Sequence, residues 1–407
     1  MQQTSSLSEA ARRRGLIAIL VDIFFMWGGF FMVVPLISVH YVDDLAWPAA
    51  SIGLVLALRQ LIQQGLTLPG GMLADRIGAK GLICAGMLLR AAGFASMAWA
   101  SSFPLLLGSA VLAALGGALF ESPRAAAVAA LTDERTRGRY YSLQGVVSGL
   151  GMTIGPLLGA LLLRFNFSVV ALVASCCYII TFLVTLLALP PVRVASEHHN
   201  LTYGIGLALH DRPFMLFTML LMGYWFMWVQ LSISLPLAAR AISGTNDAVS
   251  WVYTLNAGMS VLLQYPLLQL AERRLRPLPI LVLGVAIMAV GLGGVGFATR
   301  TPALLLCVAL FSAGALLAAP SQQTVAAAFA NPAALGSYFG VNALALAIGG
   351  SLGNYSGGLL YGLGRQYAHP ELPWFTFGAV GALAAVGMLL LHRHQSRAAD
   401  AEPAVAS

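Results

Sequence analysis

Charge is what this chain has least of. Only 9% of its residues are Asp, Glu, Lys or Arg, where a soluble globular chain carries about 25%. With 59% hydrophobic residues over 407 positions, that scarcity excludes a water-soluble protein and leaves a polytopic membrane protein. Cysteine is scarce as well. Cys84, Cys176, Cys177 and Cys307 fall inside apolar runs without metal-ligand spacing and read as small core residues. No nucleophile has a base nearby, and there is no phosphate-binding loop or metal-ligand cluster, so neither an enzyme nor a metal or cofactor is expected. His198 and His199 are adjacent but lack a third ligand and read as loop. No soluble domain is large enough to receive a signal, which argues against a sensor. The net charge of +7 is not clustered on a soluble domain, so no nucleic-acid partner is expected.

What the chain does have is apolar length. Runs of roughly 20 or more apolar residues, enough to cross about 30 Å of hydrocarbon, occur twelve times. The first six are Gly15 to Val39, Ala50 to Leu73, Gly81 to Ser101, Pro104 to Thr132, Tyr140 to Leu163 and Ser168 to Leu189. The second six are Pro213 to Ala239, Val249 to Ala271, Pro279 to Ala298, Pro302 to Ala328, Ser337 to Leu363 and Trp374 to Leu391. Met1 to Arg14 is polar and basic, and the run after it is too long for a signal-peptide core and holds Asp22, so it reads as the first span.

The expected architecture is therefore all-α, with twelve spans in two similar six-helix bundles at 1–190 and 213–392. A cytoplasmic linker at 191–212 and a tail at 393–407 complete it. Within the linker, Leu201 to His210 has the pattern of a short amphipathic helix. With the N-terminus inside, fifteen basic residues fall in cytoplasmic segments and four, Arg164, Arg240, Arg300 and Arg365, in outer loops. That asymmetry puts both termini in the cytoplasm and explains the basic balance without an anionic partner.

One stretch organises the chain. Gly71-Met-Leu-Ala-Asp75-Arg76-Ile-Gly78-Ala-Lys80 packs an acid and two bases into a short turn between spans, where two helices meet water. A weaker copy, Gln269-Leu-Ala-Glu272-Arg273-Arg274, lies 197 residues on. The same offset maps Pro123 onto Pro320 and Gly117 onto Gly314, and one residue more maps Gly151, Gly155 and Gly159 onto Gly349, Gly353 and Gly357. Repeated halves are a mark of secondary transporters. In the fifth span, Gly151, Gly155 and Gly159 at four-residue spacing, with Pro156, predict close packing against another helix and a bend.

An ionisable group inside a membrane costs roughly 2.5 to 3.5 kcal/mol and needs a partner or a wet cavity. Of fifteen acids, only Asp22 and Glu121 lie well inside spans, both roughly 10 to 15 Å from the inner surface. A carboxyl group that is partly desolvated favours its proton, while a nearby Arg opposes this, so such a site suits proton coupling. Glu121 and Arg124, three apart on one helix face, form the expected pair; a fixed structural ion pair is the alternative. For Asp22 the structural alternative is a partner such as Arg59, and Arg90 reads as structural. The second half has no embedded acid. Its aromatic and amide groups, Tyr224, Trp225, Trp228, Gln230, Asn256 and Gln322, suit a large, mainly apolar or cationic ligand, with packing as the alternative role for each aromatic. Phe25 and Arg59 complete the expected cavity lining.

Gly71 to Ile83 resembles the loop signature between helices 2 and 3 of the major facilitator superfamily, departing at Ala79 where a base is usual. Gly151 to Leu162 resembles its antiporter signature, with Ala160 in place of a Gly, and Gly28 to Pro35 resembles the first-helix signature of the twelve-helix drug:proton antiporters. The resemblance covers essentially all of the chain. It implies a secondary transporter of a bacterial inner membrane, acting as a monomer among membrane lipids and exporting small amphipathic drugs in exchange for protons. Export of a lipid, sugar or metabolite by the same cycle is the alternative. It also implies that Gly71, Asp75, Arg76, Gly78 and Lys80 gate the cytoplasmic side, with Asp75 latching onto the start of the eleventh helix near Ser337. Where the family usually carries an Arg in the fourth helix, this chain has about Ala110, which shifts the expected proton path to Glu121 and Arg124.

Overall fold

A computed structural model describes residues 8–67, 73, 78–132, 134–191, 201–245, 247–331 and 334–401. Among the described residues there is no strand. Helix α1, Glu9–Ser38, is capped by Ser8, whose Oγ accepts the Ala11 N–H at 3.2 Å, so it starts in the polar N-terminal segment rather than at Gly15. It ends in a π-helical turn, Val39–Asp44. Then come α2 Ala49–Gly65, α3 Ala79–Met97, α4 Phe103–Leu131, α5 Glu134–Leu163 and α6 Phe167–Ala188. The helix expected inside the linker is present as α7, Leu201–His210. The second half holds α8 Arg212–Trp228, α9 Ser234–Ser243, α10 Asp247–Glu272, α11 Pro277–Val295 and α12 Thr301–Phe329. It closes with α13 Leu335–Leu344, a π-helical turn at Ala345–Gly350, α14 Ser351–Gln366 and α15 Leu372–Ala401.

Nine of the described helical segments are long and apolar enough to span a membrane. The other three expected spans coincide with α2, of which 17 residues are helical, with α10, and with α13 to α14, which the π-helical turn splits. Two compact units emerge: 1–198 with 235–257, and 199–234 with 258–407. Residues 235–257, which the sequence reading assigned to the second bundle, therefore pack within the first unit. Arg240 anchors them there, donating to Asp44 Oδ1 at 2.5 Å and to the Val39 carbonyl at 3.4 Å. Tyr253 meets the Phe31 ring at 6.1 Å, and Arg164 reaches Asp247 at 3.7 Å.

Inside each unit, glycines set the closest helix crossings. A Cβ at Gly151 would lie 2.7 Å from the Phe24 carbonyl oxygen, one at Gly155 would lie 2.5 Å from that of Gly28, and one at Gly159 would strike that of Met32. So α5 lies directly on α1, as the glycine spacing predicted. The second unit repeats the contact: Cβ atoms at Gly349 and Gly353 would lie 2.5 and 2.6 Å from the carbonyl oxygens of Met222 and Phe226, and one at Gly357 would lie 2.5 Å from Gln230 Oε1. Each partner, like each glycine, is 198 residues further along.

A second crossing repeats at the same interval. Gly86 and Gly116 meet back to back, as Gly284 and Gly314 do, and Gly93 lies on Ala113 as Gly291 lies on Phe311. These contacts correct the sequence-based pairing of Gly117 with Gly314. Gly116 is its structural counterpart, and Gly117 instead makes room for the Gln63 side chain and for Arg90 Nη1.

Candidate functional site

Among the described residues, the embedded acids and arginines selected from the sequence lie in the first unit, on α1 to α4. Asp22 is 2% exposed. Its Oδ2 accepts the Thr185 hydroxyl at 2.6 Å, from α6, and its Oδ1 has no hydrogen-bond partner. Arg59 is not that partner. Its Nη1 and Nη2 donate to Gln63 and Gln60, both at 3.1 Å, and its guanidinium carbon sits 4.9 Å from the centre of the Phe30 ring. Arg59 lies one helical turn from Gln63, so its donors are taken up within α2 before any reach α1.

Arg90, from α3, shares the Phe30 ring at 5.6 Å and lies 5.4 Å from the Tyr178 ring. It is 4% exposed, and its Nε has no partner. Tyr178 is held by its hydroxyl, which donates to the Met26 carbonyl at 3.1 Å, and by stacking on Phe94 at 5.0 Å. The rings of Phe30 and Tyr178 thus each offer a π face to a buried cation. Sequence inspection did not select Phe30, Gln60, Gln63, Tyr178 or Thr185 as site residues, because each meets its charged neighbour only across helices or along a face whose direction the packing sets.

Glu121 and Arg124 lie on α4, both half-buried. Among the described residues no ion pair within 4.0 Å joins them, and Arg124 Nε is unpartnered while its guanidinium carbon lies 5.5 Å from the Phe120 ring. Nearby, the Tyr140 hydroxyl donates to the Leu16 carbonyl at 2.8 Å and ties α5 to α1. Phe25 is half-buried and meets Phe24 edge-on at 5.3 Å.

The residues expected to line a cavity from the second half divide by burial. Gln230 is fully buried with its amide engaged: Nε2 donates to the Phe226 and Gly353 carbonyls, both at 2.9 Å, and Oε1 accepts the Ser234 hydroxyl at 2.7 Å. That leaves it holding the α8 to α14 crossing together. Tyr224, 1% exposed, and Gln322, 6% exposed, are also interior. Trp225, Trp228 and Asn256 are half-buried, and Trp228 stacks on Phe311 at 6.3 Å. Of the gating loop, Gly71, Asp75 and Arg76 lie outside the described residues. Gly78 begins α3 with φ +91°, a conformation that L side chains rarely adopt, and Lys80 follows it in the first turn.

The profile of the Major Facilitator Superfamily matches residues 19–246 and again 224–406. The chain belongs to the major facilitator superfamily. Multidrug resistance protein MdtH of Aeromonas salmonicida is 42% identical over 92% of this chain and 94% of its own length. The proteins of that name from Yersinia enterocolitica and Proteus mirabilis are 40% and 38% identical over 94% and 96% of this chain, and 96% and 97% of theirs. Among solved structures, a mutant of the nucleoside transporter NupG superposes with TM-score 0.78 at 15% identity, covering 94% of this chain and 99% of that one. A POT family transporter bound to 5-aminolevulinic acid gives 0.78 at 14% identity, over 93% and 96%. At such identities the structural likeness establishes the fold. With its relatives, it makes this major facilitator protein a multi-pass membrane transporter and not an enzyme.

Proposed function

We propose that this protein exports amphipathic drugs in exchange for protons, by alternating access between the two sides of a bacterial inner membrane. The observation that carries the proposal is Asp22: a buried carboxyl inside a span, with one oxygen on Thr185, the other unpartnered, and Arg59 committed elsewhere. A charge so placed is costly, and its occupancy by a proton changes whenever water or a partner reaches it. Glu121, half-buried on the same helix as Arg124 and without an ion pair to it among the described residues, is the second exchanging group. The names of the relatives supply the substrate class. Phe25, Trp225, Trp228 and Asn256 are the lining residues of the expected set that remain partly open. The protein works as a monomer with both termini cytoplasmic, the proton is its only coupling partner, and the loop from Gly71 to Lys80 gates the cytoplasmic side.

Inverted vesicles test the coupling. Asp22→Asn and Glu121→Gln proteins, present in wild-type amounts, are expected to lose drug uptake driven by a pH gradient. They are expected to keep drug binding and downhill exchange. Full gradient dependence in both variants would refute the assignment. Replacing Asp75 by Asn is expected to shift cysteine labelling toward the inward-open state, and an unchanged labelling pattern would remove the gate.

A further inference from the structure

A groove of about 410 Å³ runs along the beginning of α1 and the end of α6. Ile17 and Val21 on one side and Val184 and Ala188 on the other form its apolar walls, and among the described residues its charged lining groups are Arg13 and Arg14. Both arginines are exposed, and among the described residues neither takes part in an ion pair. The one acid in this turn of α1, Glu9, is itself exposed. Ile17 is 51% exposed and Leu187, beside the groove, 75%. Because α1 continues directly into an apolar span, the groove crosses the level at which hydrocarbon gives way to headgroups. We propose that it holds one anionic phospholipid, its phosphate on Arg13 and Arg14 and an acyl chain along Ile17, Val21 and Val184.

The second half shows that the fold does not require this arrangement. At the repeat interval, Asp211 replaces Arg13, and Met215 and Met219 replace Ile17 and Val21. Asp211 is consumed by the protein: Oδ1 accepts the Phe214 N–H at 3.1 Å and Oδ2 the Tyr338 hydroxyl at 3.0 Å. A cap has taken the place of one of the two cations; the other, Arg14, keeps a basic counterpart in Arg212.

The full chain, purified in mild detergent and offered phosphatidylglycerol and phosphatidylethanolamine with identical acyl chains, tests the proposal by native mass spectrometry. The wild-type protein is expected to retain phosphatidylglycerol preferentially. Arg13→Gln with Arg14→Gln is expected to weaken that retention about 30-fold, for two basic contacts with an anionic lipid surface. Val184→Trp, which fills the apolar part, is expected to weaken it without touching the charges. Arg212→Gln, on the second half, is expected to leave it unchanged. Equal retention of both lipids, or wild-type retention by the double arginine variant, would overturn the proposal. So would displacement by millimolar inorganic phosphate, which would show a site for free anions. Should Val184→Trp not fold, Ala188→Leu narrows the same groove and is expected to weaken retention in its place; no change would overturn the acyl-chain part.

Discussion

The two halves of this transporter share a packing frame and differ in charge. At an interval of 198 residues the frame repeats contact for contact: Gly155 on Gly28 and Gly353 on Phe226, Gly116 on Gly86 and Gly314 on Gly284. The ionisable residues do not repeat. Asp22, Arg59, Arg90, Glu121 and Arg124 correspond to Leu220, Ala257, Met288, Ala319 and Gln322. Arg90 and Met288 even make the same backbone contact, each presenting its N–H nitrogen 2.6 Å from where a Cβ would sit on Gly116 or Gly314. The second half is thus a built-in control. A bundle of this design closes without embedded charge, so the shared packing frame does not by itself call for the charges of the first half.

The largest expected effect breaks the shared frame. Gly155→Val and Gly353→Val each force a side chain into backbone, where nothing flexible can yield, and both are expected to abolish folded protein in size-exclusion chromatography. Gly28→Ala, whose Cβ would lie 3.9 Å from the Gly151 carbonyl, is expected to survive. If Gly353→Val folded while Gly155→Val did not, the equivalence of the halves would fail.

Exchanging the charges sharpens the comparison. Arg90→Met copies the second half and is expected to fold normally while losing transport at least about tenfold. Met288→Arg places an uncompensated cation inside the second unit and is expected to cost about 3 kcal/mol, visible as a lower unfolding temperature. Normal transport by Arg90→Met would make that arginine a packing residue. A smaller effect is expected from Thr185→Val. It removes the single donor to Asp22, at about 1.5 kcal/mol or somewhat more for a bond to a charged group, and is expected to alter the pH dependence of transport. The mildest prediction lies outside the membrane, where Glu371 accepts from its own backbone N–H and lies 3.0 Å from His369 Nδ1. Both hold its carboxyl below the usual carboxylate range. Its contribution is therefore present at neutral pH and lost as pH falls through the lowered value. Wild type and Glu371→Gln are expected to differ slightly in unfolding temperature near neutral pH and to converge as the pH falls below the lowered value.

How much of this was legible in the sequence depends on whether a contact is periodic. The glycine stripe on α5 was legible because spacing of four on a helix fixes a face, and its second copy fixed the repeat. The offset was misread by one residue at Gly117, where two adjacent glycines gave no way to tell which one faces α3. The expected pair of Glu121 with Arg124 followed the same helical periodicity, yet no ion pair within 4.0 Å joins them. Spacing places two side chains on one face, but neighbouring helices decide which way each turns. Asp22 with Thr185, 163 residues apart, had no periodic signature.

By itself the sequence determined a membrane-spanning all-helical chain, its duplicated frame, and the confinement of embedded charge to one half. These follow from composition and from local helix geometry, which need no knowledge of neighbours. Only the tertiary structure decided which group meets which charge: that Thr185 rather than Arg59 holds Asp22, that Arg90 lies against rings instead of an acid, and that Gln230 is spent on packing. Those outcomes depend on side chains from distant segments competing for the same few donors and acceptors where water is scarce, and one strand of letters does not record that competition.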